Sequence, residues 1–216
     1  MRLYIVVEGK SEETFVDELL RPYFNSLGFY DVTPVKIQTS KGFKGGFVSY
    51  QHLKNDVTRL LHQNDVVVTT FVDFFRIPTS LPNYAECMKQ ANVDAQIDCL
   101  TQSIKDDMGY SDRFLPYIQK HEFESLLFSS SKVYATFYDE SVVRAIERII
   151  GQYDNPEDIN NSPATAPSKR ILSLIKYYNK VNDGNLIALE IGIDRIIEQC
   201  PRFAKWILTI REILKI

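Results

Sequence analysis

Residues 3–13 read LYIVVEGKSEE, and this stretch limits the fold more than any other. Leu3 to Val7 form a short apolar run rich in β-branched residues, which suits a strand covered on both faces. Glu8 closes the run and Gly9 allows a tight turn. Ser11 then reads as the N-cap of a helix, with Glu12 and Glu13 in its first turn. A carboxylate at the C-terminal tip of a buried strand, beside a strand-to-helix turn, is where open α/β sheets place their chemistry. Glu12 lies four residues beyond Glu8 and can turn back toward the same spot. Two converging acids are poor for stability and good for holding a hard divalent cation. The plainer reading is a loop acid followed by a helix cap.

Two later segments repeat the pattern. Asp65 to Phe75, DVVVTTFVDFF, is the strongest strand signal in the chain and belongs at the centre of a sheet. Asp73 falls at its end, so two neighbouring parallel strands would bring Glu8 and Asp73 within reach of one cation. Arg113 to Gln119 is a further strand, with Pro116 arguing for an edge or a bulge. His121 to Phe128, HEFESLLF, begins where that strand ends. Glu122 and Glu124 lie on different sides of a helix start, so one of them points toward Glu8 and Asp73, and the choice stays open. His121 is a candidate ligand or general base, or a structural histidine. The loop Ser40 to Ser49, SKGFKGGFVS, lacks the GK[ST] ending of an ATP-binding loop. Its Lys41 and Lys44 are candidates for phosphate contact, against the alternative of a glycine-rich surface turn.

Helical periodicity covers about Glu12 to Leu27, interrupted at Pro22, then Val48 to Gln63 and Tyr84 to Asp107. A second strand spans Thr33 to Thr39. After Ser131 the strand signal fades. Helices are expected over Val142 to Ile150, Lys169 to Tyr178 behind a Ser168 cap, Leu186 to Cys200, and Pro201 to Leu214. The expected architecture is α/β: a core over residues 1–130 with a mainly parallel sheet flanked by helices, and a helical extension over 131–216 packed on it. Lys169, Arg170, Lys176 and Lys180 form a basic cluster in the extension, either a solvated helix face or a phosphate patch.

A net charge of −3 provides no global basic field. A nucleic-acid partner then needs a local patch, bridging metal ions or a second subunit. Cys87, Cys99 and Cys200 are far apart, show no CxxC spacing, and read as free thiols of a reduced compartment. No apolar run approaches the ~20 residues of a membrane span. The first residues enter a strand rather than a leader, so a cytoplasmic protein without a membrane partner is expected.

VEGKSEE, TTFVDFF, PYIQKHEFESLLF, APSKRI, YNK and CPRFAKW, in that order, resemble the Toprim-like proteins grouped as domain-of-unknown-function family 4276. The likeness spans nearly the whole chain. The broader Toprim fold is shared by topoisomerases, primases and the overcoming-lysogenization-defect nucleases, and implies an acidic cluster binding Mg²⁺ or Mn²⁺ for phosphodiester chemistry. By this resemblance Glu8 matches the first Toprim glutamate, Glu12 the second acid of an ExxxE pair, and Asp73 the first acid of a DxD motif. Phe75 stands where the second DxD acid is usual, so Glu122 or Glu124 must compensate or metal binding is weakened. The implied activity is metal-dependent hydrolysis of nucleic acid, DNA ahead of RNA. Glu8, Asp73 and one of Glu122 or Glu124 would hold the metal, and Glu12 would complete a second ion site. His121 or Lys180 would move protons or neutralise developing charge. Relatives encoded near ATPases imply an ATPase partner and a setting in phage defence or DNA maintenance, and a homodimer is also open. Two other readings stand beside this one. The chain can be a non-catalytic partner or sensor of an ATPase, which Phe75 and the acidic charge favour, or a domain that binds nucleotide phosphates without metal.

Overall fold

The computed structural model describes residues 1–40, 43–44, 46–109, 112–160 and 162–216. Its strands are β1 (Arg2–Val7), β2 (Val32–Lys36), β3 (Gln38–Ser40), β4 (Phe43–Lys44), β5 (Val66–Asp73), β6 (Phe114–Leu115) and β7 (Ile118–Gln119). β2, β1, β5 and β6 lie in that order, all parallel, and β7 extends the β6 edge along β5. β3 and β4 form a separate antiparallel hairpin. The expected α/β architecture is therefore present, with the apolar β5 run at the centre of the sheet.

Parallel neighbours need crossovers, and helices supply them. α1 (Lys10–Phe15) and α2 (Arg21–Ser26) follow β1, α3 (Tyr50–Leu61) leads to β5, and α4 (Tyr84–Cys87) and α5 (Val93–Met108) lead to β6. Further helices and helical turns complete the cover, among them α6 (Glu140–Ile150), α7 (Pro167–Leu174), α8 (Asp183–Ile191), α9 (Ile193–Gln199) and α10 (Pro201–Leu214). Strand alternation sorts the core into two layers. Leu3, Ile5, Val7, Val67 and Phe71 pack with Phe15 of α1 and with Phe203, Trp206 and Ile207 of α10. Val6, Val66, Val68 and Val72 pack with α3 and α5 through Leu53, Val57, Leu100 and Ile104. Among the described residues no helix is long and apolar enough to cross a membrane.

Several local expectations are corrected. α1 starts at Lys10 behind an extended Gly9, whose C=O accepts the Glu13 N–H at 3.1 Å, so Ser11 lies inside the first turn rather than at the cap. Val16–Leu20 widen into a π-helix, with the Arg21 N–H reaching the Val16 C=O. The wide turn sits directly before Pro22, whose ring would crowd the carbonyl of a regular α-turn. Ser168 is likewise inside α7, whose cap position is Ala166. Gly192, with φ +78°, divides the single helix expected over Leu186 to Cys200 into α8 and α9. Cys87 and Cys99 are bonded to each other, because α4 and α5 bring their Cα atoms to 5.3 Å, and Cys200 is buried as a free thiol. The expectation of three free thiols fails because a spacing of twelve residues spans a helix–turn–helix return that carries no local sequence signal.

Pro116 breaks the strand expected over Arg113 to Gln119. Tyr117 lies between β6 and β7, and Thr70 Oγ1 of β5 both accepts its N–H and donates to its C=O, each at 2.7 Å. Thr69 Oγ1 donates to the Leu115 C=O at 2.5 Å and accepts from Trp206 Nε1 at 2.8 Å. The Tyr117 and Trp206 rings stack with centroids 4.4 Å apart. Two threonines thus replace the ladder bonds that the bulge removes. Thr70→Val keeps the shape and leaves both Tyr117 backbone groups unpaired. A denaturant titration should show a loss of at least about 2 kcal/mol for it, and less than about 1 kcal/mol for Thr70→Ser.

Candidate active site

β1 and β5 are paired in register up to Val7 and Phe71, which leaves Glu8 and Asp73 at adjacent tips. The backbone N–H groups of Asp73 and Phe47 face the Glu8 carboxylate and work to lower its pKa. The Gly46 N–H donates to the Glu8 C=O at 2.7 Å. Gly46 has φ +82°, a conformation that suits a residue without Cβ. Gly46 is thereby held against the tip of β1. Gly9 has a second reason to be glycine, since a Cβ there would stand 3.2 Å from Glu12 Oε2.

After β7 the chain turns through His121, at φ +64°, into a buried 3₁₀-helix, Phe123–Ser129. Asp73 Oδ1 accepts the Phe123 N–H at 2.8 Å and pins this turn to the tip of β5. The turn sends the two HEFE acids to different partners. Glu122 accepts the Ser168 N–H at 3.0 Å and its Oγ–H at 3.1 Å, so it serves the N-terminus of α7. Glu124 is 1% exposed and joins Glu8, Glu12 and Asp73.

Lys180, between α7 and α8, closes the cluster. Its Nζ lies 3.2 Å from Glu12 Oε1, 3.3 Å from Asp73 Oδ2 and 3.3 Å from Glu124 Oε2. Three carboxyls therefore share one ammonium, and the Glu8 carboxyl beside them feels its charge. Burial pushes the Glu8, Asp73 and Glu124 carboxyls up, Asp73 well above its ordinary range. Neighbouring acids add to the rise and Lys180 opposes it. For Lys180 burial works against the ammonium, yet Asp73, Glu12 and Glu124 hold its pKa well above the usual lysine value. Among the described residues no three His, Cys, Asp or Glu side chains are arranged to hold a metal ion as they stand, because the ammonium takes the shared position.

The other candidates lie elsewhere. His121 Nδ1 is 3.2 Å from Asn160 Nδ2, and burial, with Lys120 adding to it, lowers its pKa to about 4. It lines a cleft of about 280 Å³ with Phe74, Phe75, Arg76, Tyr84 and Asn160. Arg170 is engaged locally, donating to the Thr165 C=O at 2.8 Å and to Tyr153 Oη at 2.7 Å. Lys169 is exposed on α7. Lys41 lies outside the described residues, and Lys44 lies in β4. The cleft residues Arg76, Tyr84 and Asn160 had no signal in the sequence, and nor did Asn185, whose Nδ2 donates to the Ser11 C=O at 3.2 Å. Asn160 looks like any residue of a polar connector, and Asn185 like any helix position.

A family model described as Domain of unknown function (DUF4276) matches residues 7–211. The chain belongs to this family. No curated protein matches it. A solved structure of the C-terminal region of the OLD protein of Xanthomonas campestris pv. campestris is similar to this DUF4276 member, with TM-score 0.42 and 13% identity over 90% of this chain and 88% of that one.

The charge imbalance has a measurable consequence. The Glu8, Asp73 and Glu124 carboxyls hold their protons to higher pH in the folded chain than in the unfolded one. Their contribution to stability is therefore full below the ordinary carboxylate range and is lost as pH rises through their raised values. Glu8→Gln removes one of the charges. Calorimetric melting in EDTA should show its Tm about 2–4 °C above wild type at pH 7, roughly 1 kcal/mol, and no difference near pH 4. Lys180→Met should instead lose about 2 kcal/mol. That is below the roughly 3–5 kcal/mol of a fully buried pair, because the Lys180 side chain is 36% exposed.

Proposed function

We propose that this DUF4276 member is a Toprim-like nuclease that hydrolyses phosphodiester bonds in nucleic acid, DNA ahead of RNA, with Mg²⁺ or Mn²⁺. The observation that carries the reading is the convergence of Glu12, Asp73 and Glu124 on one ammonium with Glu8 beside them, the Glu8, Asp73 and Glu124 carboxyls being held above their ordinary pKa. Such a cluster is short of positive charge. The donors suit a hard cation, being carboxylate oxygens, and Glu124 Oε2 is buried without a hydrogen bond. Glu8, Glu12, Asp73 and Glu124 would hold the ion once Lys180 yields the shared position. When bound, the ion would polarise the phosphate and lower the pKa of water.

The chain's own groups have separable tasks. Lys180 balances the acids before the phosphate arrives and can turn its charge toward a phosphate oxygen afterwards. Asp73, fixed by the Phe123 N–H, holds its carboxylate in one orientation. Glu122 is spent on α7 and is not part of the proposed ion set. An ATPase partner and a role in phage defence or DNA maintenance follow from the family resemblance alone.

A second reading has one specific observation in its favour. Lys180 already satisfies three of the acids, as it would in a non-catalytic partner or sensor subunit of an ATPase. A cleavage screen over single- and double-stranded DNA and RNA with Mn²⁺ separates the two. The nuclease reading expects cleavage by wild type and at least about a hundredfold loss in Glu8→Gln and in Asp73→Asn, both still folded. Equal activity in those variants would sink it.

A further inference from the structure

The loop after β5 and the turn after β7 build the walls of the cleft described above. Asp73 is followed by Phe74, Phe75 and Arg76, and Glu122 is preceded by His121. The two loops are tied together, since the Phe75 N–H donates to the His121 C=O at 2.8 Å and the Phe74 N–H to the Gln119 C=O at 2.9 Å. Arg76 and His121 both adopt left-handed backbone, at φ +59° and +64°. Side chains of this size rarely accept that conformation, and it collects at ligand-binding positions. The result is a cleft with aromatic walls from Phe74, Phe75 and Tyr84, and three polar ends from Arg76, His121 and Asn160. The Arg76 guanidinium lies 5.2 Å from the Phe75 ring centre and is exposed. With the Asn160 amide donating to Nδ1, the neutral His121 ring carries its proton on Nε2.

We propose that this cleft binds one nucleobase of the substrate, next to the phosphate that the acids act on. Aromatic rings offer a planar base a stacking surface of the kind used for single-stranded nucleic acid. His121 Nε2–H offers a donor to the base edge, and Asn160 Oδ1, which accepts the Ser162 N–H at 3.0 Å, has a second lone pair to offer. Arg76 offers its charge to the adjoining phosphate. The volume of about 280 Å³ suits a nucleoside-sized group and not a duplex. Phe75 then has a task of its own at the position where an acid is otherwise expected: it gives the base a wall. The inference rests on the reading that the acids handle a phosphodiester, and it adds a single-stranded or unpaired substrate.

The test is calorimetric titration of the whole chain in EDTA with deoxyadenosine 5′-monophosphate, deoxyribose 5-phosphate and inorganic phosphate. Wild type should bind the nucleotide, and bind the two baseless probes at least about tenfold more weakly. Phe75→Leu, which keeps the bulk and removes the ring, should weaken the nucleotide about tenfold. Arg76→Gly suits the left-handed backbone, and should weaken the nucleotide while leaving the melting temperature intact. A failed cleavage assay alongside intact nucleotide binding by wild type removes the nuclease and keeps the cleft. Absence of nucleotide binding by wild type, equal binding of the baseless probes, or wild-type binding by folded Phe75→Leu and Arg76→Gly would each overturn the proposal.

Discussion

The Lys180 ammonium joins the two ends of the chain. It draws on Glu12 from the first helix, Asp73 from the central strand and Glu124 from the turn after β7, all within 3.3 Å. Without it, the tips of the parallel strands would carry four acids in a buried setting, and desolvation would drive them to protonate or the turn to open. The site thus needs the segment between α7 and α8 as much as it needs the sheet. The same segment places Tyr178 in the core behind the cluster, where burial and Glu124 push its phenol up.

Two further carboxylates receive helix N-termini of the extension by the same physics. Glu122 receives the N-terminus of α7, and Glu157 receives that of α10 through the Arg202 N–H at 2.7 Å and the Phe203 N–H at 3.2 Å. Both helices open with proline, which leaves few amides at the first turn and fixes their direction toward the acid. Nearby, Lys120 bridges Asp94 of α5 and Asp158, and Arg202 bridges Asp94 and Asp98. Ion pairs and helix termini therefore set how the last eighty residues lie against the sheet, while Phe203 and Trp206 fill the space between.

The strands and their acids were legible because apolar runs such as Val66 to Val72 have one plausible place, the middle of a parallel sheet, and the residue after such a run must stand at its tip. Glu8 and Asp73 follow directly. The choice between Glu122 and Glu124 was not legible, because it depends on a 3₁₀ turn instead of an α-turn and on a Ser168 donor far along the chain. Lys180 reads as one more charge in a basic stretch, and only the fold shows that it faces inward. Ser11 and Ser168 have the residue type of a cap, but the extended backbone falls two positions earlier, at Gly9 and Ala166. The bulge at Tyr117 and the Cys87–Cys99 pairing arise from contacts across the fold, for which local periodicity carries no information.

The account turns on a cluster of carboxylates that lacks one cation. Titration of Mn²⁺ into wild type and into the double variant Glu8→Gln/Asp73→Asn measures that directly. Saturable binding by wild type that disappears in the folded double variant is the expected result. No binding to wild type, or equal binding to both, would contradict the account and leave Lys180 as the only cation the acids were built to hold.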